Sequence, residues 1–360
     1  MFETNDRLRA AIRELGRSVV SVNPKIAEEL KSKDQPLFYF GVKDTDQIPD
    51  TVVDKLRRHK NFIWLTVDKM ADRGRAIDTD LINPLTYRVM TGSTSGGPIN
   101  ILKGITDFAV GTDGGGSVLA PAMSCQLPAV IGAGLGLFVK KRKVSTDGIE
   151  FSGSIGVIAK TVKTLTIVME YLTGKPLTGS EKKKWKIVIP KKGSLICPDG
   201  TDMNEKVLSY LSKINEKEWV FEEAEMTGTD DRKTGIQVIK KYLYENDADL
   251  IVTCEGPVDV FGYGETLPKF FGKTGEKITQ NHGKYLLRAA NMCQTTAIAV
   301  PVDQLASGLL IIAKKGEEQA RIAFDFALKM ENIIRLPEIW RKLFLSGSVS
   351  RDGFQFQEEK

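Results

Sequence analysis

Apolar residues recur at three- and four-residue intervals through R-L-R-A-A-I-R-E-L and I-A-E-E-L, which predicts helix from about Asn5 to Leu30, with Asn23-Pro24 opening the second piece. Pro36–Val42 (P-L-F-Y-F-G-V) is a short apolar run rich in aromatics, the pattern of a buried strand, and Lys43-Asp44 follow it at once. Helical spacing returns at Val52–Arg58, Thr164–Leu172, Asn204–Ile214, Asp231–Asn246 and Glu317–Asn332. Strand patterns fall between them at Asn61–Val67, Trp185–Pro190, Trp219–Glu223 and Leu250–Thr253. Strands alternating with helices predict a layered α/β fold. Val258–Gly283, rich in Gly, Phe and Lys, reads as a long loop of the kind that covers a site. From Leu336 onward the chain is expected to be partly flexible.

Composition narrows the function classes. With 360 residues the chain can bury a large core. Its net charge of +5 sets 51 basic against 46 acidic residues, too balanced to point to nucleic acid. The runs Lys140–Lys143 (K-K-R-K) and Lys182–Lys186 (K-K-K-W-K) fit solvated faces better than phosphate-contacting patches. Four dispersed cysteines form no C-x-x-C pair, and only His59 and His282 are present, so neither a metal site nor a Ser–His–Asp arrangement is expected. No segment reads as a signal peptide or a membrane span, and the expected compartment is the cytoplasm. Gly272-Lys273-Thr274 resembles a phosphate-binding loop, but Leu267 stands where that motif needs glycine.

The chemistry concentrates in Thr91–Ser117, T-G-S-T-S-G-G-P-I-N-I-L-K-G-I-T-D-F-A-V-G-T-D-G-G-G-S. Glycine lets backbone leave the common φ/ψ regions or approach a ligand closely, and successive N–H groups in such a turn form an anion-binding concavity. A serine closing that turn has oxyanion donors beside it, so Ser117 reads as an acyl-transfer nucleophile. The turn alone equally suits a glycine-rich loop with surface hydroxyls. Lys43, at the end of a buried strand, is placed where poor solvation would lower its pKa, although most lysines are simply exposed.

Taken together, G-S-T-S-G-G at Gly92–Gly97, G-T-D-G-G-G-S at Gly111–Ser117 and V-K-D at Val42–Asp44 resemble the amidase signature family. The likeness runs over roughly 36–332 and implies a central mixed β-sheet covered by helices on both faces. It also implies a Ser–cis-Ser–Lys triad, with Ser117 as nucleophile, Ser93 as the cis-serine and Lys43 as base. Ser93 lies twenty-four positions before Ser117, the family's usual gap; matching the S-G-G letters instead would give the role to Thr94 and require a deletion. Gly114, Gly115 and Gly116 are then the oxyanion donors, Asp113 holds their turn through side-chain-to-backbone hydrogen bonds, and Thr94 and Ser95 support the loop.

The resemblance further implies hydrolysis of a small-molecule or peptide-like amide, with no cofactor or metal. Leu119, where relatives carry arginine, and Cys254 and Glu255, at the end of a strand, are expected to face substrate. Residues 1–35 are expected to be a helical segment packing on the core, 36–332 the amidase domain and 333–360 a tail. The chain departs from the family in its short connection between Lys43 and Val52, in Leu119 and in a missing K-P-T after Gly132–Phe138. These departures sustain an alternative, a non-catalytic or partner-dependent subunit. No contact with nucleic acid or membrane is expected, and a homodimer fits the sequence as well as a monomer.

Overall fold

A computed structural model describes residues 4–145, 148–182, 184–214 and 219–346. Among them, twelve strands form one mixed sheet. In chain order the strands are β1 Val19–Val22, β2 Phe38–Lys43, β3 Phe62–Asp68, β4 Ile77–Ile82, β5 Val89–Thr91, β6 Phe108–Asp113, β7 Ala129–Gly132, β8 Phe138–Val144, β9 Glu150–Ala159, β10 Trp185–Pro190, β11 Trp219–Ala224, β12 Leu250–Glu255, β13 Thr296–Pro301 and β14 Gly308–Ala313. The large sheet runs β1-β3-β2-β6-β9-β7-β13-β14-β12-β10-β11, with β8 added to β9, while β4 and β5 pair separately.

Every residue of β6, β12, β13 and β14 is buried. Successive side chains of a strand point to opposite faces, so such strands must be covered on both sides. Helices provide the cover: α1 Thr4–Arg13, α2 Ile26–Leu30, α3 Asp50–Arg58, α4 Gly96–Leu102, α5 Leu119–Ser124, α6 Val162–Thr173, α7 Met203–Leu211, α8 Arg232–Lys240, α9 Gly272–Thr279, α10 Glu317–Ile333 and the short α11 Glu338–Trp340. Helix α6 packs on β7 and β9 and touches both α3 and α10, whereas α4 lies on β2, β3 and β6, and α5 on β7 and β13. Thr161 caps α6 by accepting from Thr164 N, and Gly174 ends it in the left-handed region that glycine enters without strain. The layers are therefore α/β/α.

Three expectations are corrected. The N-terminal region is not helical throughout: the β-branched run around Val19–Val22 forms β1, which pairs antiparallel with β3 at the sheet edge. The stretch after Pro257 is not one loop, because Leu267–Phe270 and α9 form a helical excursion within it. Within the C-terminal tail, α11 brings Trp340 into the core; residues 347–360 lie outside the described ones.

What positions the site is the pairing at the sheet's centre. β2 lies between β3 and β6, parallel to both, so Lys43 at its end stands beside Asp68 of β3. The same ends of β2 and β6 bring Lys43 near Thr112 and the glycine turn that follows β6.

Candidate active site

Lys43 is almost completely buried. Its Nζ donates to Ser93 Oγ at 2.7 Å and to Thr112 Oγ1 at 3.0 Å. Burial, aided by the positive charge of Lys143, pulls its pKa down to about 7 against a modest opposing pull from Asp113. Thr112 is a partner that no sequence signal singled out, although it lies inside the G-T-D-G-G-G-S motif.

Asp113 anchors the turn as expected of its residue type. Its Oδ1 accepts from Gly116 N at 2.8 Å, and its Oδ2 from Val118 N at 2.6 Å and Leu119 N at 3.3 Å. Burial raises its pKa, an effect those three backbone donors counter. One consequence corrects the expected oxyanion set: Gly116 N–H is directed at Asp113. Gly116 contributes conformation instead, with φ of +93° and a position where a Cβ would stand 2.5 Å from Leu287 Cδ1. At Gly114 a Cβ would meet the Phe151 ring at 2.4 Å, so the turn passes too close to that wall for any side chain.

The two serine segments are tied together by Thr94 N donating to Ser117 O at 3.2 Å. Among the described residues, no hydrogen bond joins the Ser117 hydroxyl to Ser93, and both line one cavity of about 380 Å3 with Lys43 and Gly114–Gly116. Thr94 packs against β6, its Oγ1 2.6 Å from where a Cβ on Gly111 would stand, and no hydrogen bond to Lys43 is among its contacts in the described residues. Ser95 Oγ donates to Asp78 Oδ2 at 2.6 Å, a buried contact that fixes the loop. The geometry thus brings Ser93 rather than Thr94 to the lysine. The chain turns just before Ser93 at Gly92, whose φ of +72° suits glycine.

The three expected substrate contacts are not in the cavity wall. Leu119 is fully buried in the core at the start of α5. Cys254 is buried on β12, its thiol pushed above its ordinary range by desolvation. Glu255 binds backbone, accepting from Tyr285 N at 2.7 Å and Leu287 N at 3.0 Å, and burial raises its pKa to about 7. Strand alternation cannot distinguish a pocket-facing residue from a core-facing one when both faces are covered.

Beyond the glycine–serine segments, the wall takes Gly264, Glu265 and Thr266 from the stretch expected to cover a site, and other residues from segments with no site signal in the sequence. Arg75 Nε meets Glu265 Oε2 at 3.2 Å, joining the loop after β3 to the loop after β12. Lys143, from the run expected to be a solvated face, is exposed on β8 yet borders the cavity. Lys284, almost fully buried, pairs with Asp259 at 2.6 Å. No helix among the described residues is long and apolar enough to cross a membrane.

No family model matches the chain. Among curated proteins it is similar to the A subunit of glutamyl-tRNA(Gln) amidotransferase from Staphylococcus saprophyticus, 31% identical over 135 residues, which is 34% of this chain and 26% of that protein. The corresponding protein of Staphylococcus aureus is 29% identical over 134 residues, again 34% of this chain and 26% of the relative. The match therefore spans about a quarter of those relatives' length. Solved structures agree over nearly the whole chain. A 6-aminohexanoate cyclic dimer hydrolase complexed with substrate superposes with a TM-score of 0.63 at 12% identity, covering 94% of this chain and 96% of that one. The peptide amidase of Stenotrophomonas maltophilia gives a TM-score of 0.60 at 12% identity, covering 93% and 95%. At such identities the superpositions show the fold. Over the matched segment the chain is thus similar to amidotransferase A subunits, and over nearly its whole length it has the fold of solved amidases.

Proposed function

We propose that the chain hydrolyses a carboxylic amide C–N bond through an acyl-enzyme on Ser117. The observation that carries this reading is the buried Lys43–Ser93 hydrogen bond of 2.7 Å in the cavity that Ser117 also lines. An amine whose pKa is near 7 is neutral in a useful fraction of molecules at neutral pH, and its lone pair then accepts the Ser93 proton. Ser93 in turn takes the proton of Ser117 as the Ser117 Oγ attacks the amide carbon. Hydrogen bonds of this kind commonly tighten only when substrate closes the site, which accommodates the unformed Ser93–Ser117 link.

Because Gly116 N–H serves Asp113, the developing oxyanion falls to the N–H groups of Gly114, Gly115 and Ser117. The proton held on Lys43 and Ser93 passes to the leaving amine as the C–N bond breaks. Water then attacks the ester, Ser117 recovers its proton, and a carboxylic acid leaves.

The test is intact-mass labelling with a fluorophosphonate probe. A single adduct on the native chain that disappears in Ser117→Ala and slows sharply in Ser93→Ala and Lys43→Ala supports the mechanism. No adduct on folded native chain rejects the stand-alone hydrolase and leaves a partner-dependent role, the one that the names of the amidotransferase relatives suggest.

A further inference from the structure

A second lysine, unused by the mechanism above, belongs to the cavity wall. Lys284 has a side-chain exposure of only 5%, yet it lines the same cavity as Lys43, Ser93 and Ser117. Its Nζ donates to Asp259 Oδ2 at 2.6 Å and to Thr91 Oγ1 at 3.3 Å. The third N–H of the ammonium meets no acceptor among the described residues. Buried polar groups are nearly always hydrogen-bonded, so a donor left over at a cavity wall calls for a partner.

The residue beside that ammonium is Gly264, which also lines the cavity. Its φ lies outside the left-handed region, so turn conformation does not require glycine there. Space does: a Cβ at Gly264 would stand 2.6 Å from Lys284 Nζ and cover it. Gly264 N donates to Asp259 Oδ1 at 2.9 Å, which holds this uncovered position against the ion pair. On the other side, Thr91 ends β5 two residues before Ser93. Lys284 therefore stands at the foot of the loop that carries the serine.

We propose that Lys284 donates its remaining hydrogen bond to a second, uncharged carbonyl of the substrate, so that a diamide is preferred to a simple alkyl amide. A site with a buried donor discriminates strongly, because an analogue lacking the acceptor leaves that donor unpaired. Asp259 selects a neutral acceptor over an anion. It already compensates the ammonium, and a carboxylate on the same Nζ would face a like charge close by. This inference deepens the reading of Ser117 as nucleophile and rests on it for the link to catalysis, but the binding can be measured separately.

Titration calorimetry of the full chain carrying Ser117→Ala, which prevents turnover, compares N-acetylglycinamide and N-acetyl-β-alaninamide with pentanamide and hexanamide, chains of matching length that lack the second carbonyl. At least one acetylated amide is expected to bind about ten- to a hundredfold more tightly than its alkyl counterpart, and more tightly than the carboxylate succinamate. Adding Lys284→Met together with Asp259→Asn leaves no buried carboxylate unpaired, keeps an acceptor for Gly264 N, and should abolish the preference. Gly264→Ala keeps both charged residues but crowds the ammonium, and should also abolish it. Thermal melting shows which variants are folded, and Gly264→Ala carries the test if the double variant is not. Equal binding of matched ligands, no binding of any, tighter binding of succinamate, or a folded variant that keeps the preference overturns the inference. A carbonyl preference without a fluorophosphonate adduct on the native chain would fault the hydrolase reading alone. An adduct without a carbonyl preference would fault the role of Lys284 alone.

Discussion

Lys43 Nζ stands 2.7 Å from Ser93 Oγ at a point where the lysine has lost nearly all contact with water. Few side chains lose more by such burial, and here the charge is destabilised rather than neutralised by a partner carboxylate. Replacing Lys43 by methionine keeps the volume and removes the base. The rate of fluorophosphonate labelling at Ser117 should fall about 10²–10⁴-fold, the usual range for a general base. A Lys43→Met chain that labels as fast as the native one would remove Lys43 from the mechanism.

The same amine sets a pH profile. With its pKa lowered from 10.5 to about 7, Lys43 becomes competent as it loses its proton, so labelling should rise with pH through about 7 and then level off. Stability follows the same sign. Between about 7 and 10.5 the unfolded chain holds a proton there that the folded one does not, so this group's contribution to stability increases with pH over that window. Lys43→Met should remove both dependences, which labelling and thermal melts at matched pH values would record.

Gly116 cannot carry a side chain without moving the turn. Its φ of +93° disfavours alanine, and the new methyl would lie 2.5 Å from Leu287 Cδ1. Gly116→Ala is expected to cost roughly 1–3 kcal/mol of stability. Displacing even one oxyanion donor should slow labelling a further hundred- to thousandfold. Chemical denaturation and labelling on the same preparation would test both; native-like values would show that the turn relaxes freely.

Asp68 is a carboxyl sealed behind β2, with Oδ1 accepting from Thr66 Oγ1 and Asn100 Nδ2, each at 2.7 Å, and its pKa raised to about 7 by desolvation. A raised carboxyl pKa means that the folded chain binds the proton more tightly than the unfolded one. Its stabilising effect is therefore present at low pH and lost as pH climbs from about 4 to about 7. Melting temperatures of the native chain should decline over that window more steeply than those of Asp68→Asn. Parallel curves would show that Asp68 does not titrate there.

Glu255 offers a structural contrast to the cavity residues. Glu255→Ala removes the acceptor of both Tyr285 N and Leu287 N, leaving two buried donors unmatched at a cost of roughly 1–3 kcal/mol each. The melting temperature should fall markedly. Glu255→Gln, which keeps an acceptor oxygen, should show only part of that fall, and an unchanged melt in Glu255→Ala would refute the structural role.

Much of this molecule was legible in its sequence because the information is local. Period-two and period-3.6 patterns located β10 at Trp185–Pro190 to the residue and α3, α6 and α10 to within two or three, since each presents a regular apolar face or run to the core. The glycine turn of G-T-D-G-G-G-S and its Asp113 anchor were legible for a similar reason, turn conformation being written in consecutive residues, and the serine that spacing singled out, Ser93, is the one that meets Lys43.

Tertiary structure alone decided the rest, because it depends on what meets across the fold. The β-branched run at Val19–Val22 became a strand only because β3 offered it an edge. Gly116 N–H was withdrawn from the expected oxyanion set by a carboxylate three residues away whose rotamer no sequence pattern records. Leu119, Cys254 and Glu255 were sent into the core, while Thr112, Lys143 and Arg232 were brought to the cavity from three separate elements. Sequence spacing specifies which way a side chain points from its own strand or helix; only packing specifies whether protein or open cavity lies there.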